Sequence, residues 1–281
     1  MKKKPVILSV LAHPDDESFG MGGTLALYAE RGADVHLICA TRGEVGEMDE
    51  KYMQGFKSIA DRRESELRCA AGILGLEGVH FLDYRDSGMP GSADNEHSRA
   101  LFAQPVEKVA EEVVAYIRKL KPDIVLTFDP IGGYRHPDHI AIHEATVIAF
   151  ECADDASFAP DSGEPFKPRK FYYHTFSRAF LRVSVRLLRL FGKDPSKFGK
   201  NGDINLESLA AVDFPIHARI NIKSVSWKKE AAGACHASQG GGQMQKGIRG
   251  FVSRLFNGQE VYMQAYPPVE GRQRTQRDFL A

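Results

Sequence analysis

The chain has 281 residues, 43% of them hydrophobic, which is ample for a buried core, and its 37 basic and 37 acidic residues cancel. With no net charge, nothing global draws it to nucleic acid or to an anionic membrane, and no run approaches the ~20 apolar residues a membrane span needs, so no stable membrane insertion is expected. The four cysteines, Cys39, Cys69, Cys152 and Cys235, lie far apart and never form a C-x-x-C pair. This argues against a disulfide framework or a structural zinc knuckle, and for a reducing, cytoplasmic compartment.

Met1-Lys2-Lys3-Lys4 resembles the start of a signal peptide, but the apolar stretch behind it is short and runs into Pro14, Asp15 and Asp16 without a small-residue cleavage site. Residues 6–11 read as a buried strand, about 18–31 as a helix ending near Gly32, and 35–40 as the next strand. A helix over 58–75 follows, with Gly75 as its stop, then a short strand at 79–82 and a polar, Gly- and Pro-rich loop over 83–104. Next come a helix at about 105–120, a strand at 124–128 and a helix at 138–151. This alternation predicts an α/β fold with a mostly parallel, Rossmann-like sheet, helices on both faces, and a topological switch point between the first strand and strand 124–128. A less regular part, 152–281, is expected to pack on the 1–151 core within one domain and to cover the site. Within it 171–174 reads as a strand, 178–191 as a basic amphipathic helix with solvated Arg178, Arg182 and Arg186, and Gly240-Gly241-Gly242 as a flexible turn.

Two clusters carry chemistry. Ala12-His13-Pro14-Asp15-Asp16-Glu17 follows the first strand, and His136-Pro137-Asp138-His139 comes just after strand 124–128, so both fall at one edge of the sheet. Hydrolytic zinc takes three His, Asp or Glu ligands and leaves a place for water. His13, Asp16 and His139 supply such a set, and Asp15 is left free to act as general base on that water. His136 is then available to the developing oxyanion or the leaving amine, and Asp138 can accept from an imidazole N–H and fix its tautomer. Glu17 is read as support for the first helix. His139 and His143 could chelate as an i, i+4 pair, but His143 lies a turn deeper and reads as a packing residue. A nucleotide-binding reading would need a G-x-G-x-x-G turn after the first strand, and that turn is missing.

The motifs A-H-P-D-D-E and H-P-D-H resemble the paired signatures of the zinc-dependent LmbE-like, or PIG-L, N-deacetylase family. The likeness extends through Gly22-Gly23-Thr24, Thr41-Arg42-Gly43-Glu44, Arg63 to Leu67, Tyr84 to Met89 and Gly132-Gly133-Tyr134, and more weakly through Lys229 to Gln239, which ends in a His-x-Ser-Gln pattern. The resemblance implies zinc at the carboxyl ends of the strands and hydrolysis of the acetamide of an N-acetylglucosamine-type sugar. It places His13, Asp16 and His139 on the metal, Asp15 as base, and His136 at the oxyanion with Asp138 orienting it. The stretch Arg85-Asp86-Ser87-Gly88-Met89 and the Gly-Gly-Tyr most resemble the mycothiol-pathway branch, which adds Arg63, Asp86 and Met89 as sugar contacts and Tyr134 over the carbonyl. Arg135 departs from the small residue common there. The implied partner is a small amino-sugar substrate, with amidase action on a thiol conjugate or a silent sugar-binding module as alternatives; association into a homo-oligomer is compatible with the sequence.

Overall fold

Val6-Ile7-Leu8-Ser9-Val10-Leu11 shows no polar alternation, so a strand made of it needs cover on both faces, and all six residues of β1 (Val6–Leu11) are buried. The computed structural model describes residues 3–198, 202, 204–241, 258–271 and 274–281. β1 is joined by β2 (Asp34–Thr41), β3 (Gly78–Tyr84), β4 (Ile124–Phe128), β5 (Lys170–Thr175), β6 (Ala218–Asn221) and β7 (Gln259–Tyr266) in one sheet of order β3-β2-β1-β4-β5-β7-β6. β1 to β5 run parallel, while β7 is antiparallel to both β5 and β6. β1 pairs β2 on one side and β4 on the other, so the chain winds outward in two directions and leaves the expected crevice beyond Leu11 and Phe128.

The helices are α1 (Asp16–Phe19), α2 (Gly22–Glu30), α3 (Ile59–Leu74), α4 (Val106–Leu120), α5 (Gly132–Arg135), α6 (Pro137–Cys152), α7 (Arg178–Leu190), α8 (Leu206–Ala210) and α9 (Ser226–Cys235). α3 shows why the sequence could be read: Ser58 accepts the Asp61 N–H as N-cap, Leu67, Ala70, Ala71 and Leu74 are buried on one face, and Gly75 closes the helix at φ 78°. One hydrophobic cluster reaches from Ile7 to Phe279, so the C-terminal part packs on the core.

Two expectations are corrected. The single helix over 18–31 is two, α1 and α2, with Gly20 and Met21 between them. The cysteines are not all unpaired: α9 lies against α3, which brings Cys69 and Cys235, 166 residues apart in sequence, to a Cα separation of 6.0 Å and joins them in a disulfide, leaving Cys39 and Cys152 free. β6 and β7 were not legible as strands. The basic helix α7 is amphipathic as read: Arg182 and Arg186 are exposed, and Leu181 is buried with Leu206 and Leu209 of α8, against Ile131 and Tyr134. The side chain of Arg178 and the position of Gly242 lie outside the described residues.

Candidate active site

After β1 the chain turns into α1 within four residues, and Asp15 takes φ 124° and ψ −27° to do so. A non-glycine residue held there stores on the order of 1–3 kcal/mol and needs strong surroundings. Glu17 accepts the Asp15 N–H at 3.0 Å, and the Arg63 guanidinium donates to the Pro14 carbonyl at 2.7 Å and to the Asp15 carboxylate at 3.1 Å. Arg63 also donates to the Gly43 carbonyl at 3.0 Å, and a Cβ on Gly43, whose φ is 67°, would fall 2.0 Å from the guanidinium. The Thr41-Arg42-Gly43-Glu44 stretch is therefore the cradle of Arg63.

The second cluster is built by a turn after β4. Asp129 accepts N–H groups from Ile131 at 3.2 Å and Gly133 at 2.8 Å, and a Cβ on Gly132, at φ 62°, would stand 2.8 Å from that of His139. His136 then caps α6: its Nδ1 accepts the Asp138 N–H at 3.2 Å, with Pro137 in the first helical turn. Nδ1 being an acceptor, the neutral ring carries its proton on Nε2 and can donate from there.

His13 Nδ1, His139 Nε2 and the Asp16 carboxylate converge. The two nitrogens are 3.2 Å apart, His139 Nε2 is 3.3 Å from Asp16 Oδ1, and His13 Nδ1 is 3.7 Å from Asp16 Oδ2. Ligand atoms ~2.0–2.1 Å from a tetrahedral ion lie about 3.3 Å apart, so these spacings suit a small divalent cation, Asp16 offering Oδ1 to His139 and Oδ2 to His13; His136 also brings a ring nitrogen within 4.8 Å of those of His13 and His139. The other ring nitrogens are already engaged, as ligating histidines require: His139 Nδ1 on the Gly132 carbonyl at 3.1 Å, His13 Nε2 on Asp138 Oδ2 at 3.1 Å.

Electrostatics point the same way. Burial works against a charged His13, yet Asp86, Asp138 and Asp16 outweigh it and hold its pKa well above the ordinary 6.5. Burial would raise Asp16, but His139 and His13 draw it well below the usual carboxylate range. A dication would satisfy the same excess of negative charge. Asp15 differs: burial raises it to about 6 against the pull of Arg63, with Asp16 adding to the rise. Burial, reinforced by His13 and His139, pushes His136 down to about 2, which keeps it neutral.

Several sequence assignments change. Asp138 faces His13 and not His136; Ser87 donates to it from N–H at 2.9 Å and hydroxyl at 2.5 Å, so its carboxylate is fixed before it meets the ring. Arg63 is 4% exposed with both Nη atoms spent on Asp15, Pro14 and Gly43, so it holds the Asp15 carboxylate in place; only its Nε is unpartnered. Asp86, also 4% exposed, accepts from Gly88 N–H at 2.8 Å and lies 3.4 Å from His13 Nε2, behind the ring where a free sugar acceptor was expected. Met89 is half-buried, its carbonyl held by Ser92 and Asn95. Tyr134 packs edge-on to His139 with centroids 4.8 Å apart, and burial raises its hydroxyl pKa well above 10, so it remains a donor. Arg135 is exposed at φ 70°. His143 binds the Phe128 carbonyl at 2.8 Å and takes no part in the cluster.

Two supporting pairs were missed. Glu17, fully buried, accepts from His236 Nε2 at 2.7 Å, and Ser238 donates to Glu66 from N–H at 3.0 Å and hydroxyl at 2.7 Å. The His-x-Ser-Gln pattern was the available signal, and only the packing of α9 on α1 and α3 gives it partners. Since His236→Ala leaves buried Glu17 without its imidazole hydrogen-bond partner, we expect a loss of about 1–3 kcal/mol in chemical denaturation, partly restored by His236→Gln.

A doubly wound sheet whose switch point gathers buried histidines and carboxylates able to hold a metal ion is the kind of site that metal-dependent hydrolases use. Within that class the chain belongs to the GlcNAc-PI de-N-acetylase (PIG-L) family, whose model matches residues 8–150. It is 37% identical over 242 residues, 83% of this chain and 81% of the relative, to the 1D-myo-inositol 2-acetamido-2-deoxy-alpha-D-glucopyranoside deacetylase of Rhodococcus jostii. Among solved structures it resembles the N,N'-diacetylchitobiose deacetylase of Pyrococcus horikoshii with TM-score 0.64 and 20% identity, covering 94% of this chain and 84% of that one. The 4-carboxy-2-hydroxymuconate hydratase GalB of Pseudomonas putida matches with TM-score 0.60 and 22% identity over 96% and 100%. A hydratase on the same scaffold shows that the fold alone does not set the reaction.

Proposed function

We propose that this protein is a zinc-dependent N-deacetylase that removes the acetyl group from an N-acetylglucosamine-type conjugate. The observation that carries the reading is the set of contacts among His13 Nδ1, Asp16 and His139 Nε2, 3.2 to 3.7 Å apart, with a carboxylate of raised pKa next in the chain. A relative of the same length class, 37% identical, is a deacetylase of an acetamido-glucopyranosyl inositol, which favours deacetylation over the amidase and silent-module alternatives.

His13, Asp16 and His139 would hold the ion, which when bound supplies Lewis acidity and lowers the pKa of an adjacent water. Asp15, oriented by Arg63, takes a proton from the water that attacks the acetamide carbonyl and returns it to the amide nitrogen as the C–N bond breaks, so that acetate and the free amine leave. Neutral His136 donates from Nε2 to the oxygen that gains charge, its Nδ1 locked by the cap of α6. Asp138 and Ser87 keep His13 in the tautomer that leaves Nδ1 unprotonated, and the Tyr134 hydroxyl beside His139 offers a second donor.

Turnover requires ionised Asp15. Its ordinary pKa of 3.8 is raised to about 6 by burial, while a dication nearby pulls it back, so the acid limb of kcat/KM falls between those values and activity is lost as pH drops through it. A pH–rate profile checks this; a limb near neutrality would assign it to a histidine. The functional assay is release of free amine from N-acetylglucosaminyl-inositol and from N-acetylglucosamine with zinc, iron or manganese restored to stripped protein. Turnover of the conjugate with zinc supports the reading, and no turnover with any of the metals overturns it.

A further inference from the structure

The outer strands of the sheet carry a cavity whose charged walls are all of one sign. Past β7 the C-terminal chain returns beside β6: Ala218 bridges Gln276, the Arg219 N–H donates to the Gln276 carbonyl at 2.9 Å, and the Gln276 N–H to the His217 carbonyl at 2.8 Å. Side chains alternate along an extended chain. Gln276 turns inward, where the Tyr172 hydroxyl donates to it at 2.7 Å, and Ala218 and Ile220 are buried. Thr275 and Arg277 therefore emerge on the face occupied by Arg219 and Asn221, next to Gln259, which pairs with Asn221 in the ladder. With Arg274 these residues line a cavity of about 420 Å³.

None of the three guanidiniums meets a carboxylate among the described residues. Two neighbouring acids point elsewhere: Glu260 to Lys229 at 2.5 Å and to the N–H groups of Gly23 and Thr24, and Asp278 to Tyr28 and Arg31. In a chain of zero net charge, three guanidiniums around one concavity with no carboxylate partner among the described residues call for an anion, and their planar forks match oxyanions bidentately. Asn221, Gln259 and Thr275 add neutral donors.

We propose that this cavity binds a multiply charged oxyanion, that is, a small molecule bearing phosphate or pyrophosphate. Its volume is in the range of small-molecule sites and exceeds what a lone phosphate fills. The place is distinct from the metal cluster and lies at the same end of the sheet. Thr175, whose hydroxyl bonds Asp129 at the base of the Gly132-Gly133 turn, lies in the same ladder row as Val261 and Arg219, two strand spacings or about 10 Å away. The anion could thus be a free effector or a phosphate carried by the amino-sugar substrate. Only the second source rests on the proposed deacetylase activity.

The test is calorimetric titration of pyrophosphate into zinc-loaded and zinc-stripped protein at physiological salt, with Arg219→Gln/Arg277→Gln as comparison. Saturable binding in both metal states, weakened at least roughly tenfold by the double substitution, is expected. Binding that vanishes with the zinc, that is unchanged in the variant, or that is absent overturns the proposal, as does a stronger, equally arginine-dependent affinity for duplex DNA. The two sources separate in the deacetylase assay. A lower KM for a phosphorylated than for a plain N-acetylglucosamine, erased by the double substitution, assigns the phosphate to the substrate. Equal KM values with retained pyrophosphate binding assign it to an effector.

Discussion

Asp15→Asn is expected to keep its metal and lose about 10²–10⁴-fold in kcat, the usual contribution of a general base, with little change in KM. The amide is isosteric and can still receive the Arg63 hydrogen bond through its oxygen, so the strained turn that sets Asp15 at φ 124° survives. What is removed is the ability to take a proton. Elemental analysis alongside kinetics checks the assignment: loss of metal in this variant would mean that Asp15 and Asp16 have been exchanged.

The second large effect is expected for His139→Ala, which should empty the metal site and abolish activity, whereas His136→Ala should retain metal while lowering kcat by about 10²–10³-fold, the cost of one oxyanion donor. The contrast follows from how each ring is held. His139 turns Nε2 into the cluster because Nδ1 is bound to the Gly132 carbonyl, while His136 has its Nδ1 committed to the first turn of α6. Metal content by inductively coupled plasma spectrometry separates the two variants; retention of metal in His139→Ala, or its loss in His136→Ala, would reverse their roles.

The cluster residues were readable because their geometry is local. His13 and Asp16 belong to one turn, His136 and His139 to one helix start, and buried β1 and β4 bring the two motifs to a common edge. What escaped the sequence depended on partners distant in the chain. Asp138 could orient any imidazole, and only the fold sets His13 against it with Ser87 behind. Arg63 had carboxylates within a helical turn, and the loop at Gly43 draws it to Asp15 instead. The Glu17–His236 pair spans 219 residues and the Cys69–Cys235 pair 166, distances over which pattern carries no information about contact. β6 and β7 have outward faces occupied by Arg219, Asn221 and Gln259, so their strand pattern is diluted by the residues that line the arginine cavity.

The central claim is that His13, through Nδ1, holds a metal together with Asp16 and His139. The most direct measurement is anomalous diffraction at the zinc edge from crystals of the zinc-loaded protein. One peak bonded to His13 Nδ1, Asp16 and His139 Nε2 is predicted; a peak on the opposite side of the His13 ring, bonded to Nε2 with Asp86 and Asp138, would contradict it.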